Sequence, residues 1–194
     1  MATTESAPLP LSAPAPDFSL PDVVSGGSVS LESFAGKKAL LVVFASPHCP
    51  FVQHVKGELA RMGRDYGPQG VGVVMISAND AVQYPGDGPD GLKAFAQEQG
   101  FTFPVLYDES QATARAYTAV CTPDTFIFDD ARRLVYRGRF DETRPNSGSS
   151  ATGAELRAAL DAVLAGTPVP TDQKASIGCG IKWKPGNAPA YVSG

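Results

Sequence analysis

The sequence predicts an α/β domain built around a mixed β-sheet. Two apolar runs, Ala39-Leu40-Leu41-Val42-Val43-Phe44-Ala45 and Val71-Gly72-Val73-Val74-Met75-Ile76, have the unbroken hydrophobicity of strands buried on both faces. Between them Phe51, Val52, Val55, Leu59 and Met62 recur at three- and four-residue spacing, the signature of one helix face. Late in the chain Thr125-Phe126-Ile127-Phe128 and Leu134-Val135-Tyr136-Arg137-Gly138 are joined by the short link 129–133. They read as an antiparallel hairpin ahead of a final helix. Strands alternating with helices, then a hairpin and a helix, indicate a mixed sheet with flanking helices.

The remaining elements follow in order. Residues 1–13 are rich in Ala, Pro, Ser and Thr and read as a flexible arm. Phe18-Ser19-Leu20 and Val29-Ser30-Leu31 flank Ser25-Gly26-Gly27-Ser28, a hairpin pattern that precedes the first buried strand. The first helix ends near Gly67-Pro68. A Gly- and Pro-rich loop, Tyr84 to Pro89, feeds a helix over 90–99 that stops at Gly100. A short extended piece at 101–106 and a helix over 110–117 follow. Thr152-Gly153-Ala154-Glu155 has capping-box spacing, so the last helix is expected over 152–165. The division expected is an arm at 1–13, one domain at 14–166 and an irregular tail at 167–194 packed on it.

Bulk composition narrows the function classes. A chain of 194 residues, 43% hydrophobic, buries roughly 70% of its unfolded surface and needs no disulfide staple. Three cysteines is an odd count for a secreted disulfide framework. The first residues lack a basic patch and an apolar h-region, and the longest apolar run falls far short of a membrane span. A cytoplasmic setting with reduced thiols is therefore expected, with no membrane partner. The net charge of −4, with Lys and Arg scattered, offers no basic stripe, so no nucleic-acid partner is expected.

Cys49 is either a buried, inert cysteine or a reactive thiol, and its strand–turn–helix context favours the reactive reading. It stands where the Ala39–Ala45 strand breaks into Ser46-Pro47-His48-Cys49-Pro50 and a helix begins. Free backbone N–H groups and the positive end of the helix dipole meet there, which stabilises a thiolate and raises its reactivity. Pro50 suits the first helical position, where no N–H is missed, and Pro47 fixes the loop's shape. Ser46 either caps the helix or assists catalysis. His48 either acts on the neighbouring thiol as a cation or proton shuttle, or faces solvent. His54 reads as a surface or packing residue, and Phe18, Phe34, Phe44 and Phe126 as core.

Three segments together resemble the thioredoxin fold in its peroxiredoxin-like (AhpC/TSA) branch. They are Ala15-Pro16-Asp17-Phe18-Ser19-Leu20 with Gly36-Lys37, Ser46-Pro47-His48-Cys49-Pro50-Phe51-Val52, and Cys121-Thr122-Pro123-Asp124-Thr125-Phe126. Tyr136 to Asp141 and Ser176-Ile177-Gly178-Cys179-Gly180-Ile181-Lys182-Trp183-Lys184 look like one subgroup of that branch. The resemblance spans 14–185. It implies a thioredoxin fold with a hairpin extension, a cis Pro123 in a loop facing Cys49, and thiol oxidoreductase activity without cofactor or metal. That subgroup usually shows Cys-x-x-Cys, and Ser46 stands at its first position, which removes the usual dithiol exchange. What remains resembles the Ser/Thr-x-x-Cys-Pro pattern of a peroxidatic cysteine. The arginine expected near the facing strand is not evident; Arg137 or Arg139 could supply it only if the fold brings one close.

The catalytic set implied is Cys49 as attacking thiol, with Cys121 or Cys179 resolving its oxidised form and an active-site loop of Ser46, Pro47, His48, Pro50, Thr122 and Pro123. Cys121 is either a packed core thiol or the resolver. Cys179 is either buried under the tail or carried by a mobile tail to Cys49. A loop that faces the active cysteine needs less motion than a tail, which favours Cys121. The substrate is a peroxide or a disulfide, and the reductant a thioredoxin-like protein or a low-molecular-weight thiol. Two alternatives stand beside this: a copper or zinc module built on His48, Cys49 and a second cysteine, and a non-catalytic binding scaffold.

Overall fold

The computed structural model describes residues 3–7 and 9–192. Its elements in chain order are β1 (Thr3–Glu5), β2 (Ser19–Pro21), β3 (Ser28–Ser30), β4 (Ala39–Phe44), α1 (Pro50–Tyr66), β5 (Val71–Ser77), α2 (Pro89–Gln99), β6 (Val105–Tyr107), α3 (Ala112–Ala116), β7 (Cys121–Thr122), β8 (Asp124–Phe128), β9 (Leu134–Gly138), α4 (Ala154–Ala165) and β10 (Ile177–Gly180). The main sheet has the order β6-β5-β4-β8-β9. β4 pairs parallel with β5, and β5 with β6, whereas β8 runs antiparallel to both β4 and β9. This is the mixed sheet of the thioredoxin fold, and β4, buried along its whole length, is its centre.

Alternation along the strands makes two cores. Leu41 and Val43 of β4, Val73 and Met75 of β5 and Ile127 of β8 face α1, α2 and α4, where Val52, Leu59, Met62, Leu92, Leu156 and Leu160 complete the layer. Leu40, Val42, Phe44, Val74, Ile76, Phe126 and Phe128 face the other way, onto Tyr117, Ala114, Phe18 and Phe34. The four phenylalanines expected in the core are all buried. Burying these side chains, at roughly 1.5–3 kcal/mol each, holds the layers together. The β2–β3 hairpin forms as a separate two-stranded sheet, its turn tied by Asp22, whose carboxylate accepts from the backbone of Val24 and Ser25.

Three expectations need correction. The segment read as a flexible arm carries a strand: Thr3–Glu5 pairs antiparallel with Ile177–Gly180, and further along the arm the Ser12 N–H donates to Leu134 O while the Leu134 N–H donates to Ala13 O. Its composition is polar, but its backbone finds partners on the tail and at the start of β9. Residues 1, 2 and 8 of that arm, and 193–194 of the tail, lie outside the described residues. The tail likewise is not wholly irregular, because β10 lies between β1 and β7 in a three-stranded sheet. The capping box at Thr152 does not form. Asp141 instead accepts from the Thr152 and Gly153 N–H groups at 2.7 and 2.8 Å, and Glu155 is drawn to Arg139. A carboxylate brought in from the chain before the helix displaces the local cap; against the upward effect of burial, bonds from the Thr143 hydroxyl and then from the Gly153 and Thr152 N–H groups hold the Asp141 carboxyl below its usual range.

Candidate active site

Cys49 is the residue preceding α1, with Pro50 at the first helical position as expected. Its backbone N–H donates to Ser46 O (3.2 Å) and its carbonyl accepts from Gln53 N (2.9 Å), so the loop 46–49 closes as a turn onto the helix. Gln53 Nε2 also donates to the Pro47 carbonyl. The Cys49 thiol is only 2% exposed and donates to the Thr122 carbonyl at 3.0 Å. That carbonyl precedes a cis Thr122–Pro123 bond, so the loop inferred to face Cys49 does so.

The two other thiols are placed differently. In the β10–β7 ladder Cys179 lies opposite Thr122 and Gly180 opposite Cys121. Side chains alternate along a strand, so Thr122 and Cys179 share the face turned to Cys49 while Cys121 points to the other. Cys49, Cys179, Thr122, Ser46, His48, Asn79, Tyr84, Asp87, Gly180 and Lys182 line one cavity of about 170 Å³. Cys121 is absent from that wall, fully buried, with its thiol near the Pro123 carbonyl (3.8 Å). The structure places Cys179 rather than Cys121 in the cavity with Cys49, opposite to the preference drawn from the sequence, because strand alternation turns Cys121 away. β10 approaches β7 this closely because residue 178 is glycine. A Cβ there would stand 2.0 Å from the Thr122 carbonyl oxygen.

Both of these thiols are held in their neutral form. Burial, and then hydrogen bonding with the Cys49 thiol, push Cys179 up to about 12. Burial and then the nearby Asp124 carboxylate raise Cys121 well above the ordinary thiol range.

The loop after β5 adds residues that the sequence reading missed. Asp87 is fully buried, and its carboxylate accepts from Ser46 Oγ (2.9 Å), Asn79 Nδ2 (2.9 Å) and His48 Nδ1 (3.1 Å). Asn79 in turn accepts from the Lys182 backbone N–H at 2.8 Å. One carboxylate thus ties the Cys49 loop to the tail that carries Cys179. Ser46 is neither a helix cap nor free, since its hydroxyl proton is committed to Asp87. His48 is exposed yet oriented by the same carboxylate, and its ring lies where a Cβ on Gly86 would come within 2.1 Å of it. His54 bonds Thr143 Oγ1 at 2.7 Å, as a packing residue would. The only sequence signal for Asp87 was its position in a Gly- and Pro-rich loop beyond the carboxyl end of a parallel strand, where ligand-binding groups gather.

Neither arginine reaches the cavity. Arg137 is buried against Asp124 (3.3 Å), the Thr118 hydroxyl and carbonyl, and the Phe126 ring, while Arg139 pairs with Glu155 at 2.6 Å. Among the described residues no three His, Cys, Asp or Glu side chains are grouped so as to hold a metal ion, and no helix is long and apolar enough to cross a membrane.

Comparison with known proteins bears on the fold and the family. A Mycobacterium tuberculosis protein provisionally named a peroxiredoxin is 30% identical over 105 residues, which cover 54% of this chain and 61% of that protein. The chain thus spans about three fifths of this curated relative. A crystal structure of an uncharacterised conserved protein from Geobacillus kaustophilus superposes with a TM-score of 0.93 at 52% identity, covering 95% of this chain and 98% of the other. A thiol:disulfide interchange protein of the thioredoxin family from Chlorobium tepidum shares the fold alone, with a TM-score of 0.61 at 20% identity over 81% of this chain and 99% of its own. The model of the AhpC/TSA family matches residues 11–137, a stretch that holds Cys49, Cys121 and Pro123 and ends before Cys179. With a cysteine at the start of α1, facing a cis-proline loop within a thioredoxin fold, the chain belongs to the AhpC/TSA family.

Proposed function

We propose that this protein is a cytoplasmic thiol peroxidase in which Cys49 attacks a small peroxide and Cys179 resolves the product. The observation that carries the reading is the shared cavity in which the Cys49 and Cys179 side chains meet. The Cys49 thiolate attacks one peroxide oxygen; the S–O bond forms as the O–O bond breaks. Cys49 becomes a sulfenic acid, and the other oxygen leaves as water or an alcohol after taking a proton. Cys179 then attacks the sulfenic sulfur, giving a Cys49–Cys179 disulfide and releasing water, the thiol proton leaving with the hydroxyl. A thioredoxin-like protein or a low-molecular-weight thiol reduces that disulfide and restores both thiols.

The size of the site favours a peroxide over a protein disulfide. Cys49 is 2% exposed, and a cavity of about 170 Å³ admits hydrogen peroxide or a short alkyl hydroperoxide. A second reading, exchange with small disulfides, draws on the same thiol pair, in which Cys179 takes the place of the thiol that Ser46 lacks. One equivalent of peroxide followed by peptide mapping tests the proposal. A dominant Cys49–Cys179 cross-link is expected, and Cys179→Ser should trap dimedone-reactive Cys49. A dominant Cys49–Cys121 cross-link, or no peroxide consumption, would overturn it; consumption of small disulfides without peroxide would establish the second reading.

A further inference from the structure

Among the described residues, Lys182 is the one Lys or Arg that lines the Cys49 cavity. Its backbone is pinned by three partners. Its N–H donates to Asn79 Oδ1 (2.8 Å), and its carbonyl accepts from Asp80 N (2.8 Å) and Gln111 Nε2 (3.0 Å). Gln111 is itself fully buried and also bonds Ala78 O and the Lys184 N–H, so this stretch of the tail is locked onto the β5 end of the sheet. The ammonium donates to Gly180 O at 3.0 Å, the strand residue next to Cys179. An ammonium carries three donors, so others remain for the cavity. Its charge also acts on the neighbouring thiol, pulling Cys179 downward against the stronger upward effect of burial.

We infer that Lys182 is a catalytic residue: its ammonium faces the Cys49 sulfur and the peroxide, and supplies from the tail the cation that Arg137 and Arg139 do not. This rests on the peroxidase reading proposed above. As the thiolate attacks, the S–O bond forms and the O–O bond breaks. The departing oxygen gathers negative charge beside the ammonium and takes a proton from it, which water then replaces. The sulfur is oxidised by two electrons and the peroxide reduced by two. A charge-assisted hydrogen bond formed as that charge develops strengthens in the transition state, the condition for accelerating the step.

The test pairs two measurements on Lys182→Met and Lys182→Arg. Met keeps the apolar stem without the charge, and Arg keeps the charge. The first is the rate of Cys49 oxidation by hydrogen peroxide. It should fall roughly ten- to a hundredfold in Lys182→Met and recover most of that loss in Lys182→Arg. The second is the ratio of Cys49 alkylation rates by anionic iodoacetate and neutral iodoacetamide. A cation at the sulfur favours the anion, so the ratio should drop severalfold in Lys182→Met and hold in Lys182→Arg. Urea midpoints near wild type confirm that the variants fold. A wild-type alkylation ratio and oxidation rate in folded Lys182→Met would overturn the inference. If the wild type does not consume peroxide but the alkylation ratio still depends on Lys182, the peroxidase reading falls and the charge at the sulfur stands.

Discussion

Cys49 is one of three buried thiols, and what separates it from the others is its surroundings rather than its exposure. Cys179 and Cys121 are both pushed upward, by burial first, so each remains a neutral thiol at pH 8. Cys49 precedes α1, where backbone N–H groups favour a thiolate, so limited iodoacetamide labelling at pH 8 should modify it before Cys179, with Cys121 last; faster labelling of either partner would displace Cys49 as the attacking thiol. Asp87 matters for a different reason. Its carboxylate satisfies donors from Ser46, Asn79 and His48, and removing it leaves at least two of them buried without an acceptor. Asp87→Ala should cost about 3 kcal/mol in urea unfolding, with Asp87→Asn less damaging, because each buried unsatisfied group costs about 1–3 kcal/mol. A loss within 0.5 kcal/mol would mean that water replaces the carboxylate at no cost.

Among the elements, the β1-β10-β7 sheet is the one that makes the site. Cys179 reaches Cys49 because β10 is clamped between an N-terminal strand and the strand before Pro123. The clamp depends on Gly178, whose missing side chain lets the Thr122 carbonyl approach. Gly178→Ala forces a methyl group against backbone, which cannot yield as a side chain would. The expected result is a protein whose main sheet is intact by circular dichroism but whose tail is cleaved readily by proteases. Cys179 in that variant should be alkylated faster than in wild type. Wild-type protease resistance would show that β10 can shift without losing its pairing. The pattern of this element was hard to read in advance. Thr3–Glu5 and Ile177–Gly180 are short and polar or Gly-rich, with no alternation to announce a strand, and they pair across nearly the whole chain length.

At the scale of the whole molecule, the buried pair of Asp124 and Arg137 links stability to pH. Burial raises the Asp124 carboxyl to about 6, against the opposing pull of Arg137, and one of its oxygens has no hydrogen-bond partner among the described residues. The unfolded chain releases this proton near pH 4, while the native state keeps it until about pH 6. Stability associated with Asp124 is therefore fully present below about pH 4, declines as pH rises through 4 to 6, and levels off above. Asp124→Asn should remove that decline. Urea midpoints at pH 4.5 and 7.0 would show a smaller difference between the two pH values in this direction for the variant than for wild type. An unchanged difference would mean that Asp124 titrates alike in both states.

What the sequence alone determined is the part built from local regularities. Apolar runs define β4 and β5, three- and four-residue spacing defines α1, and their junction places Cys49 and Pro50 at a helix start. Each of these is decided by the burial of neighbours within a turn or a strand, so the residues themselves carry the signal. The tertiary structure decided which groups surround that thiol. Asp87 and Asn79 arrive on the loop after β5, Cys179 and Lys182 on the tail, and Arg137 and Arg139 are turned away to Asp124 and Glu155. Those placements depend on which edges pair and which face a strand residue takes. Such pairings join segments more than a hundred residues apart, as when Thr3 meets Cys179, and no spacing along the chain encodes them.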